Sequence, residues 1–273
     1  MARIELLLTA NLRISSMKAA RLLTERIGEF DRLLLPYPEE MEGHLDSLAS
    51  RRLSYHEAVR GIIASQLVPE PSGAWEYTAE PILRALPDLR GAQHGLLVIC
   101  VGDRGDEYAA MEASVAIACL TLNAMITGRV DHERWREAVM ASLERVRLAA
   151  KNMERRILVK AAGDIACVVG LGSRPIKQAL VDAGHHVKIS FVDEFYHFTP
   201  ISILERRLAM GPVDDLSLEA LIRGHLEYVK DYIYRHGSRD GAHYEWTYDK
   251  AAWLRWGLDR DEIKYLDCFT QTS

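Results

Sequence analysis

The chain has 273 residues, 48% of them hydrophobic, enough for one large α/β domain or two small ones, and this composition excludes wholesale disorder. A net charge of −5 removes the global basic signature of a bulk nucleic-acid binder. The four cysteines, Cys100, Cys119, Cys167 and Cys268, form no C-x-x-C pair, so they read as reduced, buried thiols of a cytoplasmic protein rather than as zinc ligands.

In chain order, the apolar run Ile4–Thr9 predicts a buried strand. Glu5 interrupts the run, and Asn11 and Arg13 follow it, which argues against a secretory leader. Ser15 or Ser16 is placed to cap a helix from Met17 to Ile27, and Phe30–Leu35 reads as the next strand. Pro36 and Pro38 end that strand, and Glu39 and Glu40 open a helix where negative charge suits the helix dipole. Ser54 with Glu57 spells a capping box for the following helix. The stretch 67–73, rich in Pro, Ser and Gly, is a loop, and a helix from Trp75 to Leu86 leads to a strand at Leu96–Val101. The longest apolar segment, Ala109–Ile126, carries Glu112, Ser114, Thr121 and Asn123 and reads as a buried core helix rather than a membrane span. Asp131 caps a long helix over about 132–162, amphipathic in its first half and basic in its second.

Residues 164–193 are the clearest strand–loop–helix–strand unit. The apolar run Ile165–Val169 ends in Gly170-Leu171-Gly172, a short helix stops at Gly184, and a strand starts at His186. Asp214 or Asp215 then leads into a helix ending near Gly237. The region from Ala242 on is aromatic, with Tyr244, Trp246, Tyr248, Trp253, Trp256, Tyr265 and Phe269. Strands that alternate with helices and read as continuous apolar runs predict an α/β fold with a mainly parallel sheet covered by helices. The expected division is an α/β core over residues 1–200 and a helical, aromatic-rich C-terminal extension over 201–273.

In such sheets ligands collect at the carboxyl ends of the strands. That points to four loops: Thr9–Arg13, Pro36–Glu40, Gly102–Glu107 and Gly170–Arg174. Asp103, Asp106 and Glu107, beside Arg104, put three carboxylates at one strand end, suited to acid–base or divalent-metal chemistry, or to capping the next helix. Gly170, Gly172, Ser173 and Arg174 suit an anion, because a loop entering a helix aims backbone N–H groups at one point. A dinucleotide reading takes Gly170-x-Gly172 with Asp193 as the ribose-binding acid, although Pro175 stands where a third glycine would pack helix on strand. Glu194 and His197 could place a carboxylate and an imidazole together, and the basic half-helix Lys151–Lys160 could face phosphate or solvent.

The order of these loops resembles the Tiki/TraB/ChaN-like superfamily, which includes erythromycin esterase-like hydrolases. The resemblance is carried by Leu8-Thr9-Ala10-Asn11, by Leu35-Pro36-Tyr37-Pro38-Glu39-Glu40, and by Ala149–Ile157 preceding Val168-Val169-Gly170-Leu171-Gly172-Ser173, and it covers about residues 4–190. The family's two motif histidines fall on Asn11 and Ser173, which hydrogen-bond but lack a neutral imidazole's basicity. The resemblance therefore implies a hydrolase relative with altered catalytic motifs. In that reading Asn11, Arg13, Glu39, Glu40, Arg104, Gly170, Gly172, Ser173 and Arg174 hold a small polar or anionic ligand, and Asp103, Asp106 and Glu107 supply any chemistry. The sequence names no cofactor. It leaves open a nucleotide binder, or a non-catalytic scaffold that forms a homo-oligomer through the aromatic C-terminal region.

Overall fold

The protein is described by a computed structural model covering residues 1–193 and 196–251. It is an α/β protein whose single five-stranded sheet is wholly parallel, in the order β3-β2-β4-β1-β5. The strands are β1 (Arg3–Thr9), β2 (Arg32–Pro38), β3 (Leu97–Gly102), β4 (Asp164–Gly170) and β5 (His186–Phe191). Between them run α1 (Arg13–Arg26), α2 (Glu42–Ala49), α3 (Tyr55–Ala64), α4 (Gly73–Ala92), α5 (Arg104–Thr127), α6 (His132–Lys160) and α7 (Arg174–Asp182). After β5 come α8 (Pro200–Met210), α9 (Asp215–Glu227) and α10 (Arg239–Lys250), with a π-helical stretch at Tyr228–Ile233. The expected sequence of strands and helices through β5 is the one observed; α8 and α10 are additions to it.

Contacts divide the chain into two compact units. Unit 1 comprises Met1–Met111 and Val146–Glu194, and unit 2 comprises Glu112–Arg145 and Phe195–Ser273. The stretch 112–145 thus groups with the C-terminal helices rather than with residues 1–111.

In unit 1 the pleat sorts side chains to two faces. Leu7, Leu33, Leu35, Val98, Cys100, Ala166 and Val168 form one core with α1–α4. Ile4, Leu6, Leu8, Leu34, Ile165, Cys167 and Val169 form the other with Ile157, Ile176 and Leu180. Right-handed crossovers explain the split, since connections heading toward β3 and connections heading toward β5 cover opposite faces. Glu5 is the exception inside β1. It is buried, and Arg26 answers it through two hydrogen bonds of 2.7 and 2.9 Å, joined by Lys188 and Ser190.

Several local expectations change. The first helix starts at Arg13, so Ser15 lies inside it rather than at its cap. β2 continues through Pro36, tolerated because its register against β3 shifts between Leu35 and Pro38, where a residue without an N–H breaks no ladder bond. The strand at this point passes so close to Gly102 that a Cβ there would sit 2.6 Å from the Pro36 carbonyl oxygen. The capping box at Ser54 and Glu57 is present as expected, and Asp214 caps α9 by accepting the Ser217 N–H at 2.9 Å.

The apolar segment in α5 is not a core helix. It is long and apolar enough to cross a membrane, yet its most apolar window is only 17% buried. Cys119 is exposed with it, while Cys100 and Cys167 are buried as expected. Hydrophobic composition alone cannot tell a helix sunk in a core from one that packs a single face, and here only Ala113, Thr121 and Ala124 are buried.

Unit 2 has two cores of its own. Trp135 and Val139 pack with Leu204, Leu218 and Ile222, and Tyr228 and Tyr232 pack with Ala242 and Trp246. Trp253, Trp256, Tyr265 and Phe269 of the aromatic region, and Cys268, lie outside the described residues, as does Glu194. His197 stacks on Trp246 with ring centroids 4.8 Å apart, and Tyr196 on His243 at 5.0 Å.

Candidate functional site

Strand order places a crevice between β1 and β4, one of three neighbouring pairs, with β2/β4 and β2/β3, whose connections leave in opposite directions. From β1 the chain crosses toward the β3 edge, and from β4 it crosses toward the β5 edge, although β1 and β4 are hydrogen-bonded neighbours. Adjacent strands whose connections leave in opposite directions open a crevice at their carboxyl ends, and ligands of open α/β sheets bind there. The walls in unit 1 are the loop Ala10–Leu12 and the loop Gly170–Ser173. Asn11 is exposed, and Ser173 is buried.

Both helices that start at this crevice lack a side-chain cap. Leu12 precedes α1 and has no capping group, and the Ser173 hydroxyl makes no capping bond to α7. α2 and α4 likewise lack one, while α3, α8, α9 and α10 are each capped by a side chain. The two positive dipole ends of α1 and α7 thus stand at the carboxyl ends of β1 and β4 without a capping side chain. The Gly170 turn is closed by the Ser173 N–H bonding the Gly170 carbonyl at 3.2 Å. Neither Gly170 nor Gly172 has a left-handed φ, and a Cβ on either would meet nothing within 4 Å. Glycine at these two positions is not demanded by the fold; it leaves open space above the loop. Gly102 differs, because there the neighbouring strand excludes any side chain.

The floor near β5 is a polar knot that sequence reasoning missed. Ser15 accepts the Ala10 N–H at 2.8 Å and donates to the buried Asp193 carboxylate, which also pairs with Lys18 at 3.2 Å. These bonds hold the β1–α1 loop against the end of β5. Asp193 is thus engaged by α1, and β1 lies between β4 and β5. In a dinucleotide unit the glycine-loop strand and the strand bearing the ribose acid are neighbours. The only hint of the knot in the sequence is the Ser15–Ser16 pair, which reads as a cap.

Arg13 turns to α4, pairing with Glu80, and its guanidinium lies 5.6 Å from the Tyr77 ring centroid. The side chain of Arg174 is outside the described structure.

The acidic residues gather at the other end of the sheet, beyond β2 and β3. Asp103 caps α5, accepting the Gly105 N–H at 2.7 Å and the Asp106 N–H at 3.3 Å. Arg156 of α6 donates to Asp103 at 2.6 Å and to the Gly102 carbonyl at 2.8 Å, and lies 3.5 Å from Glu39. Its guanidinium holds the Asp103 carboxyl below the usual range. Asp106 accepts from Asn152 at 3.1 Å. Glu107 differs from both: burial, assisted by the Asp106 charge, raises its carboxyl to about 6. Glu40 is exposed, and Arg104 lies 5.6 Å from the Tyr108 ring centroid. Of the basic half-helix, Lys151 and Arg155 face solvent while Arg156 turns inward.

The site residues expected from sequence therefore form two groups. Asn11, Gly170, Gly172 and Ser173 line the β1/β4 crevice, and Glu39, Asp103, Asp106 and Glu107 gather at the β2/β3 corner. From β3 to β1 is three strand spacings, or about 14 Å, while β2 and β4 are hydrogen-bonded neighbours. Among the described residues no three His, Cys, Asp or Glu side chains are arranged to hold a metal ion. No family profile matches the chain, and no curated protein or solved structure matches it.

Proposed function

We propose that the crevice between β1 and β4 binds a small anionic ligand bearing a phosphate or carboxylate. The observation that carries this reading is the convergence of two side-chain-uncapped helix starts on a glycine loop whose glycines the fold does not need. Two dipole ends suit an anion, and the open space over Gly170 and Gly172 admits its close approach. Asn11 and Ser173, the positions at which the Tiki/TraB-like resemblance expects histidines, flank the same crevice and can orient polar substituents of the ligand.

The test is thermal stabilisation of the full chain by inorganic phosphate, citrate, AMP, NAD and a short-chain acyl phosphate, each over a range of concentration. Binding at a hundredfold excess over Kd stabilises by about 2.7 kcal/mol, a readily measured rise in Tm. Gly172→Asp, which puts a carboxylate into the open space, is expected to abolish the rise while leaving the unliganded Tm in place. No rise with any of these probes, or a rise that Gly172→Asp does not reduce, rejects the proposal.

A second reading, hydrolysis, is favoured by one observation. Glu107 is the carboxyl at the β2/β3 corner held near 6, where a group both donates and accepts a proton at neutral pH. This reading predicts a hydrolytic rate on small ester or phosphoester substrates with a limb near pH 6 that Glu107→Gln removes. Unchanged turnover in that variant rules Glu107 out.

A further inference from the structure

Three polar side chains of unit 1 meet at the β2/β3 corner with no partner among the described residues. Tyr37, near the end of β2, is 8% exposed, and its hydroxyl makes no hydrogen bond. Trp75, in the first turn of α4, stands edge-on to it with ring centroids 6.0 Å apart, and its indole Nε1 is buried without an acceptor. Glu107, in the first turn of α5, is half-buried, and its carboxylate meets no hydrogen-bond donor and no basic side chain. That turn is held over the corner by the Tyr108 hydroxyl, which lies 3.2 Å from the Gln66 carbonyl oxygen and 3.3 Å from that of Val68. The Tyr37 phenol is close enough to Glu107 to be raised by its charge, after burial and Cys100. The neighbouring Asp103, Asp106 and Arg156 are all engaged with one another or with Asn152 and backbone. Buried polar groups in native proteins are nearly always hydrogen-bonded, so orphans gathered in one place mark a missing partner.

We propose that Tyr37, Trp75 and Glu107 form a binding site for a small organic ammonium that also carries an oxygen acceptor, in its simplest form an amino alcohol. The three groups specify this chemistry. An indole N–H only donates, so the ligand presents an acceptor, and it cannot ligate a metal ion. A carboxylate out of bulk water without a cation calls for a charged donor, and the phenol hydroxyl serves either part of the ligand. The rings of Tyr37 and Trp75 suit an ammonium and its methylene groups. Charge excludes the anions that suit the β1/β4 crevice. Glu39, Glu40 and Glu42 all raise the Cys100 thiol, and Asp106 raises Glu107, so the field at this corner is negative. It disfavours a phosphate, and it disfavours an amino acid relative to an amino alcohol. The site is thus independent of the crevice, and it requires no turnover.

Isothermal titration calorimetry of the full chain with ethanolamine, at constant ionic strength, tests the proposal. Saturable binding is expected at pH 7, with a Kd about tenfold higher at pH 5. The Glu107 carboxyl, raised to about 6 in the free chain, must lose its proton to pair, while the ammonium stays charged at both pH values. Propylamine, lacking the acceptor for Trp75, should bind about fivefold more weakly. Glu107→Gln should weaken ethanolamine binding at pH 7 by at least about tenfold and remove its pH dependence. Tyr37→Phe keeps the ring and should weaken binding about fivefold. Neither variant should lower the unliganded Tm at pH 7, since each removes a polar or charged group that has no partner in the fold. Absence of saturable heat with ethanolamine overturns the proposal, as does heat that sodium chloride reproduces. Binding that Glu107→Gln leaves unchanged overturns it too. Binding that depends on Glu107 but is indifferent to Tyr37→Phe would put the amine on the outer acidic surface and overturn the site as assigned.

Discussion

Two kinds of buried ionisable side chain answer to acid in opposite ways. Glu5 is held down to about 2 by its hydrogen bonds with Arg26 first and then with Ser190 and Lys188. A carboxyl lowered on folding contributes stability that is present above the unfolded value of 4.5 and lost as pH falls toward 2, roughly 3 kcal/mol in all. His225 and His243 are lowered by burial to about 4 from 6.5. Each favours the fold only while neutral, so its contribution is present above pH 6.5 and lost as pH falls toward 4. His225 has a further reason to resist protonation, since its Nδ1 is buried without a hydrogen-bond partner. Glu107 in unit 1 works the other way: raised to about 6, it favours the fold once protonated. Unit 2, which holds both histidines, should therefore lose hydrogen-exchange protection between pH 6.5 and 4, before unit 1. Replacing His225 with Gln should shift that loss to lower pH. If unit 1 peptides exchange first, these side chains do not govern acid stability.

At the level of strands and loops, much of the core was legible because burial on both faces of a parallel strand leaves a plain apolar run. Ile4–Thr9, Leu96–Val101 and Ile165–Val169 needed no tertiary information to be read as strands. The β2 bulge was not legible: Pro36 and Pro38 look like an end, and only the β3 partner shows that the strand continues through them. For the same reason Gly102 and Gly172 look alike in sequence, while their surroundings separate them. Gly102→Ala forces a Cβ against the Pro36 and Tyr37 backbone, which side-chain repacking cannot relieve, and should cost about 2 kcal/mol. Gly172→Ala enters open space and should stay within about 0.5 kcal/mol. Urea midpoints at constant m-value measure both. Equal effects would remove the argument that the Gly172 loop is open for a ligand rather than for the chain's own packing. The crevice itself was partly legible. Its two walls stand at strand ends, but the strand order that makes them neighbours, and that sets the carboxylates beyond β2 and β3, is a long-range fact without a local signal. The exposed apolar face of α5 was hidden for a related reason, since its hydrophobicity matches that of a buried helix.

Among the described residues the two units share no core residue. The clusters of unit 1 draw nothing from 112–145 or from beyond residue 194, and those of unit 2 draw only on 117–139 and 201–246. An insertion can be grafted onto an α/β core in this way when its entry and exit strands of chain run side by side. Glu112 and Arg145 pair at 3.0 Å, so the chain leaves and re-enters within one helix pair. Met111 joined to Val146 by a short Gly-Ser loop, in a chain ending at Asp193, should then fold alone, because loop closure over so small a span costs little. Such a chain would keep all five strands, both cores and both walls of the β1/β4 crevice. It should unfold in one cooperative urea transition with a smaller m-value than the full chain, in keeping with its smaller buried surface. It should also retain the stabilisation by anionic probes expected of the full chain. A molten or insoluble product would show that unit 2 is required for the core to form. A folded product that no longer responds to a probe the full chain binds would move the binding site away from the glycine loop. Either outcome separates the fold of the crevice from its proposed role, which no substitution within the loop can do.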